Sequence, residues 1–341
     1  MRSNRFTVVA FAVTTVLASS VAAGAIGSTP IDTASTGPTT LAVIGDTPYG
    51  PAKLAEFPTL VARINADPQV RTVVHLGDIK SGSTVCSDTY FAQVRRLFDT
   101  FSDPIVYTPG DNEWTDCHRA NNGAYFPPER LDALRRTFFP VPGQTMGTDK
   151  KQVLSQASDP SYPNFVENQL WMESQVVFSA INIPGSNNDL VPWTNVTPAQ
   201  AAQQQPEFLG RLSADLAWLY KTFTTAIANN AQGVVLAIQA DMWDTSETDL
   251  SGFDTVVQRI AGLAQAFGRP VLLLEGDSHK FRVDHPFTPG DPLYGRHPMG
   301  GLSAPNVTRI VVEGSTNPTE YLRLTVDPAS PQVFTWQRVP I

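Results

Sequence analysis

Four Gly-Asp pairs, each at the end of a short apolar run, constrain the fold of this 341-residue chain more than any other feature. The apolar runs are rich in aliphatic and β-branched residues, a composition that favours strands. Glycine lets the chain turn sharply and leaves room beside the next side chain. Because ligands of open α/β sheets bind beyond the carboxyl ends of the strands, we expect four carboxylates to converge there: Asp46, Asp78, Asp111 and Asp277.

The rest of the chain supports a layered α/β fold. Apolar strand-like runs alternate with segments of helical spacing from residue 41 to residue 274, a rhythm that predicts a parallel core sheet. Residues 139–173 contain many Pro, Ser, Asn and Gln and predict a long surface excursion. Three apolar stretches, 308–312, 321–326 and 333–336, predict consecutive antiparallel strands at the end of the chain.

The N-terminal segment has the order of a secretory signal peptide. Arg2 and Arg5 precede an apolar run, and small residues follow it, which predicts a signal peptide over residues 1–25. The apolar run is shorter than the roughly 20 residues that span a bilayer. We therefore expect a flexible leader at 26–40, one domain at 41–341, and a secreted protein, extracellular or periplasmic, without a membrane anchor after cleavage.

The charge of the chain argues against nucleic acid as a partner, and its cysteines predict a disulfide. The chain has 24 basic and 32 acidic residues and a net charge of −8, so the basic footprint of a nucleic-acid-binding protein is missing. Cys86 and Cys117 are its two cysteines. Exported proteins usually pair two cysteines, so we predict a disulfide that joins two loops. The alternative is a pair of buried free thiols.

Convergence of four carboxylates requires a positive charge nearby. Two unit charges about 4 Å apart repel by several kcal/mol at an effective dielectric near 20. Divalent metal ions relieve such repulsion, and carboxylate and amide oxygens suit hard cations such as Mg, Mn or Ca. The sequence therefore predicts a metal site at the strand ends.

The order of the motifs resembles the calcineurin-like metallophosphoesterase superfamily, whose signature runs D-x-H, G-D, G-N-H-D/E, a lone His, and G-H-x-H. The resemblance covers nearly the whole chain after the N-terminal segment. It implies an α/β fold, a four-layer α-β-β-α sandwich of two mixed sheets. The segments that carry it are Asp46-Thr47-Pro48, Gly77-Asp78, Gly110-Asp111-Asn112-Glu113, Gln239 and Gly276-Asp277-Ser278-His279.

The resemblance also implies the ligands of one or two divalent ions. Read without gaps, the chain has Asp111 at the place of the family's metal-binding Asn, whereas a one-residue shift puts Asn112 there, and both alternatives stay open. Most of the family's histidines are replaced by oxygen-bearing side chains or by proline, which favours Mg, Mn or Ca over Zn or Fe. The implied ligands are Asp46, Asp78, Asp111, Asn112, Asp277 and His279.

The family's proton donor is the His of the third motif, and Asn112 at that place cannot act as an acid. His118 follows closely in the sequence, and the predicted disulfide would hold its loop beside the metal site. We therefore predict His118 as the acid and Arg119 as a phosphate-binding group. A surface His-Arg pair is the alternative interpretation.

These residues predict a secreted, monomeric, metal-dependent phosphoesterase. Through a metal-activated water it would hydrolyse small phosphate mono- or diesters. The competing hypothesis is a catalytically silent binding protein on the same fold, which the loss of histidines favours. A cell-surface adhesion or sensing module fits export equally but has no motif of its own.

Overall fold

The computed structural model of the chain describes residues 37–315 and 320–341. The predicted signal peptide, residues 1–25, and residues 26–36 of the predicted leader lie outside these ranges. Among the residues described, no helix combines the length and the apolar character that crossing a membrane requires.

The first of two mixed sheets contains three parallel strands and two antiparallel ones. The parallel strands are β1 (Thr39–Ile44), β2 (Val70–His75) and β3 (Ile105–Tyr107), and the antiparallel ones are β11 (Glu320–Val326) and β12 (Phe334–Pro340). The strand order is β12-β11-β1-β2-β3. The carboxyl ends of β1, β2 and β3 therefore lie side by side at one edge.

The second sheet has the strand order β4-β5-β6-β7-β8-β10-β9. Its central strands β6, β7, β8 and β10 are parallel, and β4, β5 and β9 are antiparallel to their neighbours. The strands are β4 (Leu154–Ser155), β5 (Gln169–Glu173), β6 (Val176–Ala180), β7 (Gly233–Ala237), β8 (Val271–Glu275), β9 (Arg282–Asp284) and β10 (Val307–Val311).

Helices flank both sheets, and local sequence sets several of their ends. The Ser87 hydroxyl accepts the Tyr90 N–H at 3.2 Å and caps α2, while Gly268, with φ of 70°, ends α7 in the left-handed conformation that glycine tolerates. The segments are α1 (Gly50–Asn65), α2 (Asp88–Phe98), α3 (Pro127–Phe138), α4 (Gly185–Asp189), α5 (Pro198–Ala201), α6 (Gln204–Ala228) and α7 (Asp254–Phe267).

Successive side chains of a strand point to opposite faces of its sheet, and this alternation determines the layers of the fold. In β1, Val43 packs into the apolar core between the two sheets, whereas Ala42 and Ile44 pack against α1 and α2 on the outer face. The second sheet buries its outer face under α6 and α7. Helix, sheet, sheet and helix are thus stacked in four layers, which confirms the predicted fold class.

The predicted surface excursion over 139–173 is wrong in its last part, because β4 and β5 lie there. Asn168 and Gln169 are buried, and the Asn168 side-chain amide donates to Gln156 and Asp215. The Trp171 ring stacks on Phe178 of the next strand. These buried polar residues form hydrogen bonds inside the protein. Because they interrupt the hydrophobic pattern, the sequence did not indicate this strand.

The prediction of three consecutive antiparallel strands at the end of the chain is wrong for the first of them. β10 joins the second sheet parallel to β8, whereas β11 and β12 pair antiparallel in the first sheet. β10 is buried along almost its whole length, as parallel strands in the middle of a sheet usually are. Arg309 is buried but charged, and it interrupts the apolar residues of β10. The sequence therefore shows the alternation of apolar and polar residues that is typical of an antiparallel strand.

Candidate metal centre

Three of the four strand-end aspartates have a left-handed backbone. Asp46, Asp78 and Asp277 have φ of 51°, 56° and 69°, and His279 has φ of 63°. Non-glycine residues adopt this conformation uncommonly, and such strain concentrates at functional sites. The tight turns after β1, β2 and β8 hold these side chains at the common edge of the two sheets.

The carboxylates converge in two overlapping clusters. Asp46, Asp78 and His279 each place one ligand atom within 4.8 Å of the others, and Asp78, Asp111 and Asp277 do the same. Asp78 belongs to both clusters. The geometry therefore offers two neighbouring cation positions with Asp78 between them.

Tyr49 completes the first cluster. Its hydroxyl donates to Asp78 Oδ2 at 2.6 Å and lies 3.2 Å from His279 Nε2. His279 Nε2 is in turn 3.6 Å from Asp46 Oδ1. The sequence analysis did not predict a role for this tyrosine. A signal was available, because Tyr49 carries a hydroxyl and directly follows Pro48, which stands where the family has histidine.

Backbone groups pack tightly around the second cluster. A Cβ on Gly185 would lie 2.8 Å from carboxylate oxygens of both Asp111 and Asp277, so no larger residue fits there. Gln239 links the same elements, since its Oε1 accepts the Gly185 N–H at 2.6 Å and its Nε2 donates to Asp111 at 3.2 Å. Gln239 was recognised at the place of the lone His, but its positioning of Asp111 was not foreseen.

The two candidate residues of the third motif, Asp111 and Asn112, have different surroundings. The Asp111 carboxylate lies in the second cluster. The Asn112 side-chain amide instead donates to Asp78 Oδ2 at 2.6 Å and to the Tyr49 hydroxyl at 2.7 Å. Asp111 therefore lies among the candidate ligands, and Asn112 hydrogen-bonds to the carboxylate that both clusters share.

Glu113 fixes the turns that follow β2 and β3 through hydrogen bonds. Its Oε1 accepts the backbone N–H of Asp78 at 3.0 Å and of Gly110 at 2.7 Å, and the Tyr107 hydroxyl at 2.8 Å. The side chain is fully buried. Three hydrogen bonds to one oxygen fix the relative position of the second and third motifs.

The site concentrates negative charge away from water. Burial, with repulsion from Asp111, raises the pKa of Asp46, Asp78 and Asp277 well above the usual value of an aspartate. Ionising these carboxylates together costs free energy that a bound cation would recover. The donor set, mostly oxygen with one imidazole, fits a divalent cation.

A cleft of about 510 Å³ opens over both clusters. Arg119 lines it with a side chain that is 38% exposed, and its guanidinium NH1 lies 2.6 Å from Asp116 Oδ2. The pKa of Asp116 is raised to about 7 by burial and by repulsion from Asp111. Arg119 thus places a positive charge on the wall of the cleft.

His118 does not face the cleft, contrary to the prediction. Its side chain is buried outside the lining residues, and Nδ1 accepts the Thr194 N–H at 2.9 Å. Burial and the neighbouring charge of Arg119 lower the pKa of His118 to about 4. A neutral, enclosed imidazole is a poor proton donor, so we assign His118 no catalytic role.

The Cys86–Cys117 disulfide joins the loops that follow the second and third motifs, with 5.9 Å between the two Cα atoms. Lys80 lies beside it, fully buried, and donates to the Asn112 carbonyl at 2.6 Å. Burial lowers the pKa of Lys80 to about 8. Both features hold the loop that carries Asn112, and Lys80 does not line the cleft.

Asp241 also lines the cleft, but its carboxylate is already paired. Arg309, itself buried, approaches Asp241 Oδ1 at 2.5 Å, and Arg282 contacts Oδ2. The Asp241 N–H donates to Asp277 Oδ2 at 3.3 Å. Asp241 therefore orients a candidate ligand and is not itself one.

Residues 39–197 match the sequence model of the calcineurin-like phosphoesterases. This segment belongs to the calcineurin-like phosphoesterase family. The match includes the motifs that carry Asp46, Asp78 and Asp111, and it confirms the family resemblance of the sequence. Asp277 and His279 lie beyond the matched residues and reach the same site through the second sheet.

Two solved structures to which the chain is similar share little sequence with it. GAP50, the anchor in the inner membrane complex of Plasmodium, is 10% identical, with 89% of each chain covered and a TM-score of 0.44. The purple acid phosphatase PPD1 from yellow lupin (Lupinus luteus) seeds is 11% identical, with 89% of this chain and 54% of the lupin chain covered and a TM-score of 0.40. No curated protein matches the sequence.

Proposed function

We propose that the protein is an exported phosphoesterase that depends on divalent cations and hydrolyses small phosphate mono- or diesters. The observation that carries this proposal is the pair of clusters sharing Asp78, open to a cleft whose wall bears Arg119. Membership of residues 39–197 in the calcineurin-like phosphoesterases supports the same reaction class.

Two groups of residues would hold the cations. Asp46, Asp78 and His279 would bind one, and Asp78, Asp111 and Asp277 the other. The predominance of carboxylate oxygens favours Mg, Mn or Ca over Zn or Fe. When bound, such ions supply Lewis acidity, lower the pKa of water and offset charge on phosphoryl oxygens.

The protein's own groups would orient the ester. Arg119 faces the cleft and offers guanidinium N–H donors to phosphoryl oxygens, in the planar geometry that suits phosphate. Tyr49 and Asn112 hold the Asp78 carboxylate in one orientation. Pre-set donors of this kind stabilise developing charge without reorganising during the reaction.

The proposal of export has two supports, a sequence prediction and a structural feature. The predicted signal peptide at residues 1–25 would direct the chain out of the cytoplasm. The Cys86–Cys117 disulfide is a bond that persists in oxidising compartments and is rare in the cytosol. Cell fractionation of the source organism tests this part, and a cytoplasmic protein with an intact N-terminus would contradict it.

The main test is hydrolysis of 4-nitrophenyl phosphate and bis(4-nitrophenyl) phosphate with Mg, Mn, Ca or Zn. We expect turnover that requires an added cation, that chelation abolishes and that Asp78→Asn removes. The exposed Asp149, changed to Asn, is the matched control. Turnover unaffected by chelation, or unchanged in Asp78→Asn, would contradict the proposal.

The second candidate function is cation binding without turnover on the same fold. The observation that favours it is the position of His118, whose buried ring does not line the cleft and so does not supply the predicted proton donor. Cation-dependent stabilisation of the protein, combined with no hydrolysis of a broad panel of phosphate esters, would select this function over the first.

A further inference from the structure

The walls of the cleft carry far more negative than positive charge. Among the described residues that line it, seven are aspartate or glutamate, and the basic ones are Arg119 and His279. His279 is a candidate cation ligand, and a ligating imidazole is neutral. The charge of an incoming phosphate ester therefore bears on its affinity for this cleft.

The candidate metal centre itself has no excess of positive charge. Its four carboxylates, those of Asp46, Asp78, Asp111 and Asp277, carry four negative charges when they bind cations, because ligating carboxylates are ionised. Two divalent cations balance these charges. A centre in which neutral imidazole or amide groups replaced some of the carboxylates would keep a positive excess for a dianion.

Two groups of buried charges behind the centre add no positive excess either. Lys80 and Glu113 are both buried, carry opposite charges and attract each other. The second group contains two arginines and three acids, and its ion pairs form within the group. Its members are Arg282, Arg309, Asp241, Glu275 and Asp284. The excess charge that an ester meets is therefore determined at the surface of the cleft.

At this surface Arg119 contributes one positive charge, and two acids at the rim contribute negative ones. Arg119 NH1 lies 2.6 Å from Asp116, which offsets part of that charge where it is ionised. The rim acids are partly exposed Asp244 and exposed Glu247, and no ion pair of the described residues includes either. Arg296 does not line the cleft and donates to their backbone carbonyls at 2.7 and 2.9 Å. Even with Asp116 neutral, the cleft offers a phosphate one positive charge.

A left-handed turn forms the wall of the cleft beside the second cluster. Its residues, 186–189, have φ of 50°, 54°, 57° and 66°, a conformation that L-amino acids avoid in succession. Asn187 Oδ1 accepts the Gly252 N–H at 2.8 Å. Ser186 Oγ lies 2.8 Å from Asp111 Oδ2. The turn therefore joins the loop around Gly252 to the second cluster.

An apolar surface follows this turn along the cleft. The loop around Gly252 supplies two of its side chains, and the residues after the turn supply the third: Leu250, Phe253 and Val191. The cleft volume of about 510 Å³ falls in the range of pockets that hold drug-sized ligands, roughly 300–1,000 Å³. A phosphate with alcohol groups on both sides therefore fits, and one of these groups would contact the apolar surface.

We propose that the cleft selects phosphate diesters, which carry one negative charge, over phosphate monoesters. The inference rests on the proposed function and narrows its substrate class. A monoester carries about −1.5 to −2 charges at pH 7, which exceeds the one positive charge that Arg119 offers beyond the balanced centre. The second alcohol of a diester removes the additional charge and buries apolar surface, so both features of the cleft favour it.

The decisive experiment compares the binding of dimethyl phosphate and methyl phosphate to the wild-type protein with saturating Mn. Calorimetric titration at neutral pH measures both affinities, with a blank titration into Mn alone. The two probes differ by one methyl group and about one negative charge. We expect dimethyl phosphate to bind at least about tenfold more tightly. Equal or tighter binding of methyl phosphate, or no binding of dimethyl phosphate, would overturn the proposal.

A double change at the rim tests whether charge causes the selection. Asp244→Asn with Glu247→Gln removes two negative charges and keeps the shape of both side chains. It should strengthen methyl phosphate binding by about threefold or more, and dimethyl phosphate binding by less, because exposed charges act through a screening solvent. The ratio of kcat/KM for bis(4-nitrophenyl) phosphate to that for 4-nitrophenyl phosphate should fall accordingly.

The matched control removes two exposed charges that do not line the cleft, by Asp149→Asn with Asp159→Asn. It should leave both affinities and the ratio of kcat/KM unchanged. A rim variant with the selectivity of the wild type, or a control that shifts as much as the rim variant, would overturn the proposal.

The outcomes separate this proposal from the proposed function. Cation-dependent turnover of monoesters in preference to diesters overturns the selection and leaves the proposed phosphoesterase activity intact. A wild type that hydrolyses no ester with any cation overturns both.

Discussion

The backbone N–H of Asp277 donates to both carboxylate oxygens of Asp46, at 3.0 and 3.2 Å. Asp46 follows β1 of the first sheet and Asp277 follows β8 of the second, so this contact joins the two halves of the sandwich at the candidate metal centre. The site is therefore assembled by the packing of the sheets, and no single loop contains it.

Replacing Asp46 tests the cation site directly. Asp46→Asn should abolish the stabilisation that Mg or Mn gives the wild type, about 2.7 kcal/mol at a free concentration 100 times Kd. The metal-free variant should be at least as stable as the wild type, because the amide removes a buried charge but still accepts a hydrogen bond. Thermal unfolding with and without cation measures both, and Asp149→Asn is the control. An unchanged response to cation would show that Asp46 is no ligand.

The stability of the metal-free protein should fall as pH rises above about 4. The folded state raises the pKa of Asp46, Asp78 and Asp277, mainly through burial. Between the unfolded and folded pKa values the folded state binds more protons, so stability is highest below the unfolded pKa and decreases as pH rises. Saturating cation should reverse this slope, since it displaces those protons. Denaturant unfolding across pH, with and without Mg, checks both signs, and two parallel curves would contradict the interpretation.

The disulfide should stabilise both the fold and the site. Cys86 and Cys117 are separated by 31 positions, and closing a loop of that length contributes about 3–4 kcal/mol in the chain-entropy description. The double change Cys86→Ala and Cys117→Ala should cost about that much in urea unfolding. It should also weaken cation binding, because the bridge holds the loop that carries Asn112. Equal cation affinity in the two proteins would show that the loop keeps its position without the bridge.

Glu113 offers a matched pair of variants. Glu113→Ala leaves the N–H groups of Asp78 and Gly110 without their acceptor, and a buried unsatisfied group costs about 1–3 kcal/mol. Glu113→Gln keeps an acceptor oxygen and should preserve cation binding. We expect the alanine variant to lose both stability and cation response, measured by unfolding and by calorimetric titration with Mn. A glutamine variant as defective as alanine would indicate that the charge of Glu113 matters more than its hydrogen bonds.

Arg119 should affect the substrate more than the cation. Hydrogen bonds to charged groups contribute about 1.5–3 kcal/mol, so Arg119→Ala should raise KM for 4-nitrophenyl phosphate by about tenfold or more with little change in Mn affinity. Arg119→Lys should recover part of the loss, because lysine keeps the charge without the planar pair of donors. A change confined to Mn affinity would remove Arg119 from phosphate binding.

The strand pattern predicted an α/β fold and the Gly-Asp turns predicted the edge where the site lies, because both depend on local residue order. The sandwich of two sheets was implied by the family resemblance. The position of His118 was not predictable in this way. Its ring contacts Thr194, 76 positions later in the chain, so its orientation depends on a distant loop.

The contacts of Ser186 were not predictable for a similar reason. Gly185 to Asp189 reads as an ordinary turn, and its left-handed form depends on Arg211 from α6 and Gly252 from a later loop. The contact between Ser186 and Asp111 spans 75 positions. Local propensity describes such segments only as irregular, because the interactions that decide their shape are tertiary.

Each candidate cation position takes ligands from both sheets: Asp46 and Asp78 with His279 in one, Asp78 and Asp111 with Asp277 in the other. An ion bound there would hold the two sheets together, and it would dissociate when the sheets move apart. Under the proposed function, the concentration of divalent cations in the surrounding medium would then determine the lifetime of the folded protein as well as its rate of turnover.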